Sequence, residues 1–161
     1  MTIETFQHLI QTVTQYIGDR KLDKDLQASL NQQFPFEGPV YQQIFDACRQ
    51  GVREGWMCQY EGGGVRYGRV VKPSGELGGF SVDVVQMNNL AGPHHRHPNG
   101  EIDLIMPLDK DACFDGHPGG WLVYGPDTAH SPTVTGGEAL VLYLLPQGQI
   151  EFTRQAAKSQ P

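Results

Sequence analysis

From about Met57 onward the chain is a succession of short runs rich in Val, Ile, Leu and Tyr, each closed by Gly, Pro, Asn or Asp. The runs are GVRYGRVV, GFSVDVVQM, GEIDLIMPL, GWLVYG, ALVLYLLP and QIEF. Strands this short, broken by turn residues at close intervals, build antiparallel sandwiches and barrels. No stretch between them is long enough for the crossover helix that a parallel sheet requires. The expected fold is therefore mainly β, an antiparallel sandwich or barrel.

The first third has a different texture. Phe6, Leu9, Ile10, Val13 and Ile17 recur at three- and four-residue steps, an apolar stripe that Gly18 closes. Residues 23–33 read as a second short helix. A third, from Pro39 to about Gly51, carries Val40, Ile44, Ala47 and Cys48 on one side. The expected division is a helical segment over 1–56 packed on the barrel, the barrel over 57–154, and a flexible tail over 155–161. The helices either cover a barrel face or meet a second subunit, since an exposed edge strand needs such cover.

At 161 residues the chain has the length of one domain with a core of its own. Its net charge of −6 argues against nucleic acid or an anionic membrane as a partner. An anionic small molecule stays compatible, because a local cationic pocket fits within an acidic protein. The segment MTIETFQHLIQTVTQYIGD has neither a basic start nor an uninterrupted apolar run. No signal peptide or membrane span is expected, and a cytoplasmic location is. Cys48, Cys58 and Cys113 are odd in number and lack CxxC spacing, which excludes a disulfide framework or a cysteine zinc knuckle as the organising feature.

Half of the six histidines fall in Gly92-Pro93-His94-His95-Arg96-His97-Pro98-Asn99-Gly100-Glu101. On a strand, side chains alternate, so His95 and His97 share a face while His94 and Arg96 take the other. Pro98-Asn99-Gly100 signals a turn, and a hairpin there would bring Glu101 back beside the two imidazoles. Two imidazoles and a carboxylate suit iron, manganese, zinc or nickel. His130, which follows the turn Gly125-Pro126-Asp127-Thr128-Ala129 between two apolar runs, is the best candidate for a fourth ligand. The metal set expected is His95, His97, Glu101 and His130, holding one divalent transition metal. His8 and His117 are expected at the surface.

Further candidates follow from strand parity. Asp103 lies two residues beyond Glu101, on the same face, where it is a proton carrier or else a surface acid beyond the rim. Arg66 and Arg69 are three apart and face opposite sides, so at most one enters the barrel, where it would grip a carboxylate. Tyr67, Trp121, Tyr124 and Tyr143 are candidates for an aromatic lining, with core packing as the commoner use of such residues.

His95-x-His97 followed by Glu101 resembles the first cupin motif, and the turn leading to His130 resembles the second. Gly125 and Asp127 stand where cupins commonly have Pro and Gly, and Leu108 stands where the first motif ends in Gly. The stretches 61–73, 79–108, 114–134 and 139–152 resemble more closely the family of 4-hydroxylaminobenzoate lyases, and the likeness extends more weakly over the N-terminal helices. That resemblance implies a mainly β, cupin-type antiparallel β-barrel (a jelly roll) with an N-terminal helical segment, commonly a homodimer, that converts 4-hydroxylaminobenzoate and water to 3,4-dihydroxybenzoate (protocatechuate) and ammonia. It implies Glu101 or Asp103 as the group that moves protons, and Arg66 or Arg69, with Tyr67, at the carboxylate of a small aromatic acid. The conversion is redox-neutral, in keeping with the absence of a G-x-G-x-x-G motif. The rivals on the same barrel are an iron dioxygenase or other metal-dependent enzyme acting on a small aromatic acid, and a ligand-binding cupin without catalysis.

Overall fold

The computed structural model describes residues 1–153; the tail expected over 155–161 lies outside the described residues. Helix α1 (Ile3–Ile17) begins where the Thr2 hydroxyl accepts the Thr5 N–H, and ends at Gly18 with φ 50°. Helix α2 (Lys24–Gln33) is capped by the Asp23 carboxylate at the Leu26 N–H, 2.9 Å away. Helix α3 (Pro39–Glu54) starts on proline and runs past Gly51 to a left-handed cap at Gly55. Gly51 does not end the helix. A Cβ at that position would stand 2.7 Å from Met57 Cγ, so the glycine is there to let Met57 pack.

The remainder forms ten strands: β1 (Tyr60–Gly62), β2 (Val65–Val71), β3 (Phe80–Ala91), β4 (His95–His97), β5 (Glu101–Pro107), β6 (Cys113–Phe114), β7 (Gly120–Tyr124), β8 (Thr128–His130), β9 (Thr133–Pro146) and β10 (Glu151–Phe152). They pair antiparallel in two sheets. One runs β1-β2-β3-β9-β5-β7 with β6 beside β9, and the other runs β10-β4-β8. The two antiparallel sheets form a jelly roll.

Alternation along the long strands gives the large sheet two buried faces. Val82, Val84, Ile102, Leu104, Leu142 and Leu144 point outward and pack with Phe6, Ile10, Leu30 and Ile44 of the helices in one core. Val85, Met87, Ile105, Val141, Tyr143 and Leu145 point inward, with Phe114 and Val134, to line the barrel. The helices therefore cover the barrel's outer face. Because both faces are buried, the central strands read as near-continuous apolar runs.

Helix α2 also closes an edge. Strand β7 ends the large sheet, and its outer backbone groups would otherwise lie unpaired. Asn31 accepts the Trp121 N–H at 2.8 Å and donates to the Trp121 carbonyl at 2.9 Å, as a neighbouring strand would. Gln27 accepts the Val123 N–H at 2.9 Å, and the Lys24 ammonium donates to the Val123 carbonyl at 2.9 Å. An Asn31→Ala chain leaves both Trp121 groups without their partner. It is expected to lose about 2 kcal/mol of stability, read as a lower urea midpoint at an unchanged slope. No helix among the described residues is long and apolar enough to cross a membrane.

Candidate metal centre

The small sheet is built around β4, whose two edges are taken by β8 and β10. His95 lies directly opposite His130, and His97 opposite Thr128. Alternation turns His95 and His97 into the barrel, where they are 2% and 0% exposed. Arg96 takes the outer side and bonds Asp127 and Glu151. His94 also turns away, its Nδ1 on the Thr153 hydroxyl.

Glu101 arrives by a different route from the hairpin expected. Strand β5 does not pair with β4; its partners are β7 and β9 in the large sheet. Both edges of β4 are already occupied, so the turn at Pro98–Gly100 carries the chain from one layer to the other. Gly100, at φ 89°, makes that crossing against strand β7: a Cβ there would stand 2.7 Å from the Tyr124 carbonyl oxygen. Glu101 thus faces the imidazoles from the opposite sheet.

Four ligand atoms converge. The Nε2 atoms of His95 and His130 lie 3.2 Å apart. Glu101 Oε1 is 3.5 Å from His95 Nε2 and 3.1 Å from His97 Nε2, and its Oε2 is 3.7 Å from His130 Nε2. All four atoms lie within 4.8 Å of one another. The far ring nitrogens have partners of their own. His95 Nδ1 faces the Pro93 carbonyl at 3.3 Å, His97 Nδ1 the Thr128 hydroxyl at 2.9 Å, and His130 Nδ1 the Asp115 carboxylate at 2.5 Å. Thr128 spends its own proton on the Gly125 carbonyl, so toward His97 it accepts. Each Nδ1 is therefore the N–H, and each Nε2 turns a bare lone pair inward.

Lone pairs gathered in this way repel unless a cation lies among them. His97 Nε2 and both oxygens of Glu101 are buried without any hydrogen-bond partner. Ligands at about 2.1 Å from one ion, at angles of roughly 90–120°, stand about 3.0–3.6 Å apart, and the separations of 3.1, 3.2 and 3.5 Å fall in that range. The buried three-histidine, one-glutamate group fits the metal site of a cupin.

Asp103 is fully buried on the same face as Glu101, with neither of its oxygens partnered. Burial, then the charge of Glu101, pushes the Asp103 carboxyl well above its ordinary range. For Glu101, burial acts upward, but the His95, His97 and Asp103 side chains facing it outweigh that and hold the carboxyl below the usual range. Tyr143 of β9 lies directly between Asp103 and Asp83 across the sheet. Burial and the surrounding carboxylates keep its phenol protonated.

Strand register separates the two arginines. Arg69 pairs with Asp83 on the barrel-facing side, its guanidinium donating at 2.8 and 3.1 Å to the carboxylate and at 3.2 Å to the Gly148 carbonyl. Tyr67 shares that parity, is 44% exposed, and packs on Tyr60. Arg66 takes the opposite face, on Gln86 and the Cys58 carbonyl, away from the histidines. Trp121 lies in the helix-side core with its indole N–H on the Phe34 carbonyl, so it lines no pocket. Tyr124 stacks on His97 with ring centroids 5.4 Å apart, and Tyr143 lies 6.5 Å from the His95 ring. His8 and His117 are exposed.

Three contributors were not singled out from the sequence: Asp83, Asp115 and Thr128. Thr128 was the most findable, since it stands two residues before His130 on the same short strand. Asp127, in the place where cupins commonly have Gly, adopts φ 64°. Aspartate tolerates that left-handed conformation better than most side chains, so the departure from the motif preserves the turn.

The model of the 4-hydroxylaminobenzoate lyase family matches residues 8–152. A 4-hydroxylaminobenzoate lyase from Nocardioides sp. (strain LMS-CY) is 32% identical over 162 aligned positions, covering 93% of this chain and 96% of the relative. One from Pseudomonas putida is 29% identical, covering 87% and 89%. Among solved structures, an RmlC-like cupin from Ralstonia eutropha aligns with a TM-score of 0.44 at 14% identity, over 58% of this chain and 62% of that one.

Proposed function

This chain belongs to the 4-hydroxylaminobenzoate lyase family, and from that premise we propose that it is a metal-dependent lyase converting 4-hydroxylaminobenzoate and water to protocatechuate and ammonia. The observation that carries the metal dependence is the convergence of bare Nε2 lone pairs on the unpartnered Glu101 carboxylate inside the barrel. His95, His97, Glu101 and His130 would hold one divalent ion, which supplies Lewis acidity toward a substrate oxygen or a water.

The remaining roles belong to the chain itself. Asp103 holds a proton in a buried site and delivers it to the departing hydroxyl of the hydroxylamine. Loss of that group leaves an electron-poor ring, to which water adds at the carbon beside the one bearing nitrogen. Hydrolysis of the resulting imine releases ammonia, and tautomerisation restores the aromatic ring. One water is consumed in all, and no electrons are exchanged with a cofactor. Arg69 is the arginine suited to the substrate carboxylate because it shares the barrel-facing side with Tyr67. Tyr124, Tyr143 and Phe114 give the ring an aromatic surround that keeps bulk water out.

The test is an anaerobic incubation of the purified, metal-analysed protein with 4-hydroxylaminobenzoate, following protocatechuate and ammonia together. Equal formation of both is expected. Product that appears only with oxygen would replace the lyase by a dioxygenase.

A further inference from the structure

We infer that Asp115 is the positioning residue of the centre, the group that converts His130 from a strand-end histidine into a preformed ligand; the inference rests on the metal reading above. His95 and His97 are enclosed by the barrel. His130 ends the three-residue strand β8 at the edge of the small sheet, and it is the least buried of the four, at 12% exposure. Its aim therefore depends on what holds its outer nitrogen.

That partner is fixed more firmly than a turn aspartate ordinarily is. The Asp115 N–H donates to the Thr133 carbonyl at 2.7 Å, and Asp115 Oδ1 accepts the Thr133 N–H at 2.9 Å. The residue is thus clamped to the start of β9. Its other oxygen, Oδ2, accepts from both the His130 Nδ1–H and the Tyr124 hydroxyl, each at 2.5 Å. Asp115 itself adopts φ 50°, a left-handed backbone that an L side chain rarely takes, and this conformation aims the carboxylate back at β8.

A carboxylate that accepts from Nδ1, Tyr124 and Thr133 together does two things. It admits only the Nδ1–H tautomer, which leaves Nε2 bare toward His95 and Glu101, and it makes Nε2 a better donor. Asparagine has the same shape but cannot serve all three donors. With its amide nitrogen toward His130, it favours the tautomer that carries hydrogen on Nε2, which cannot ligate. With the amide turned over, its N–H₂ confronts the Thr133 N–H.

The experiment compares wild type, Asp115→Asn and Tyr124→Phe. The tautomer of each histidine is read by ¹⁵N NMR of the metal-free, histidine-labelled protein, and Zn²⁺ affinity by chelator competition. Wild-type His130 is expected as the Nδ1–H tautomer. Asp115→Asn is expected to lose that signature, with His95 and His97 unchanged, and to bind Zn²⁺ about 10–100-fold more weakly. Tyr124→Phe removes a bond to the same oxygen and is expected to leave the tautomer as it was. An unaltered His130 tautomer in Asp115→Asn, or Zn²⁺ affinity equal to wild type, overturns the assignment. If the variant does not fold, the wild-type spectrum decides: His130 protonated at Nε2 overturns it. None of these readouts involves turnover. A chain that passes them but makes no protocatechuate refutes the lyase and leaves Asp115 in place.

Discussion

A His95→Ala chain is expected to fold, to retain no stoichiometric metal, and to lose turnover of 4-hydroxylaminobenzoate by at least about a thousandfold. His95 is the hub of the donor group. Its ring lies 4.7 Å from both the His97 and His130 rings, and its Nε2 is 3.5 Å from Glu101 and 3.2 Å from His130. Removing it leaves one imidazole from β4 instead of two and a vacant corner beside a buried carboxylate. Binding free energy shared among four ligands does not survive such a loss, and the several kcal/mol of charge stabilisation that an ion supplies go with it. His94→Ala is the matched control. It deletes the neighbouring imidazole, which faces Thr153 outside the barrel, so metal content and rate should stay at wild-type values. Elemental analysis beside the anaerobic product assay reads both quantities on the same samples. Full turnover by a metal-free His95→Ala protein would sink the metal part of the proposal.

What the chain's residues announce in advance, and what they conceal, divides along physical lines. The long strands were legible because Val, Ile and Leu runs bounded by Gly and Pro carry their own signal, and the helices because their apolar stripes have helical period. Strands β4 and β8 have no such signal. Each is three residues long, polar, and strand only because it pairs with the other. The spacing of His95 and His97 was readable there because alternation is local. The path of Glu101 was not, because a Pro-Asn-Gly turn reverses the chain without saying which sheet the next strand joins. That depends on β8 and β10, distant in sequence, filling both edges of β4. The same limit applies to Arg66 and Arg69. Parity placed them on opposite faces, while only the register against Asp83 and Gln86 tells which face is inside. Asn31 and Gln27 read as the polar side of a helix until β7 is set beside them. Asp115 reads as a turn residue until β8 and β9 bring His130 and Thr133 to its two oxygens.

Asp103→Asn should separate proton transfer from metal binding more sharply than any ligand substitution. Its kcat is expected to fall about 10²–10⁴-fold, with metal content unchanged. Burial and the adjacent charge of Glu101 push the carboxyl at this position well above its ordinary range. A neutral carboxylic acid and a carboxamide have nearly the same shape, and both can donate to the Glu101 carboxylate. The variant therefore keeps the shape of the side chain and its place between Tyr143 and Leu122 on the neighbouring strands. The ability to release a proton is what it loses. A role in orientation alone predicts near wild-type rate from the amide, whereas a role as proton carrier predicts the full loss. Glu101→Gln makes the contrast on the same strand: it trades a charged ligand for a neutral one, so it should release the metal. Steady-state kinetics on metal-quantified Asp103→Asn reads the difference. A kcat within a few-fold of wild type would move the proton transfer to another group, with the protonated phenol of Tyr143, beside Asp103 on β9, the next to test.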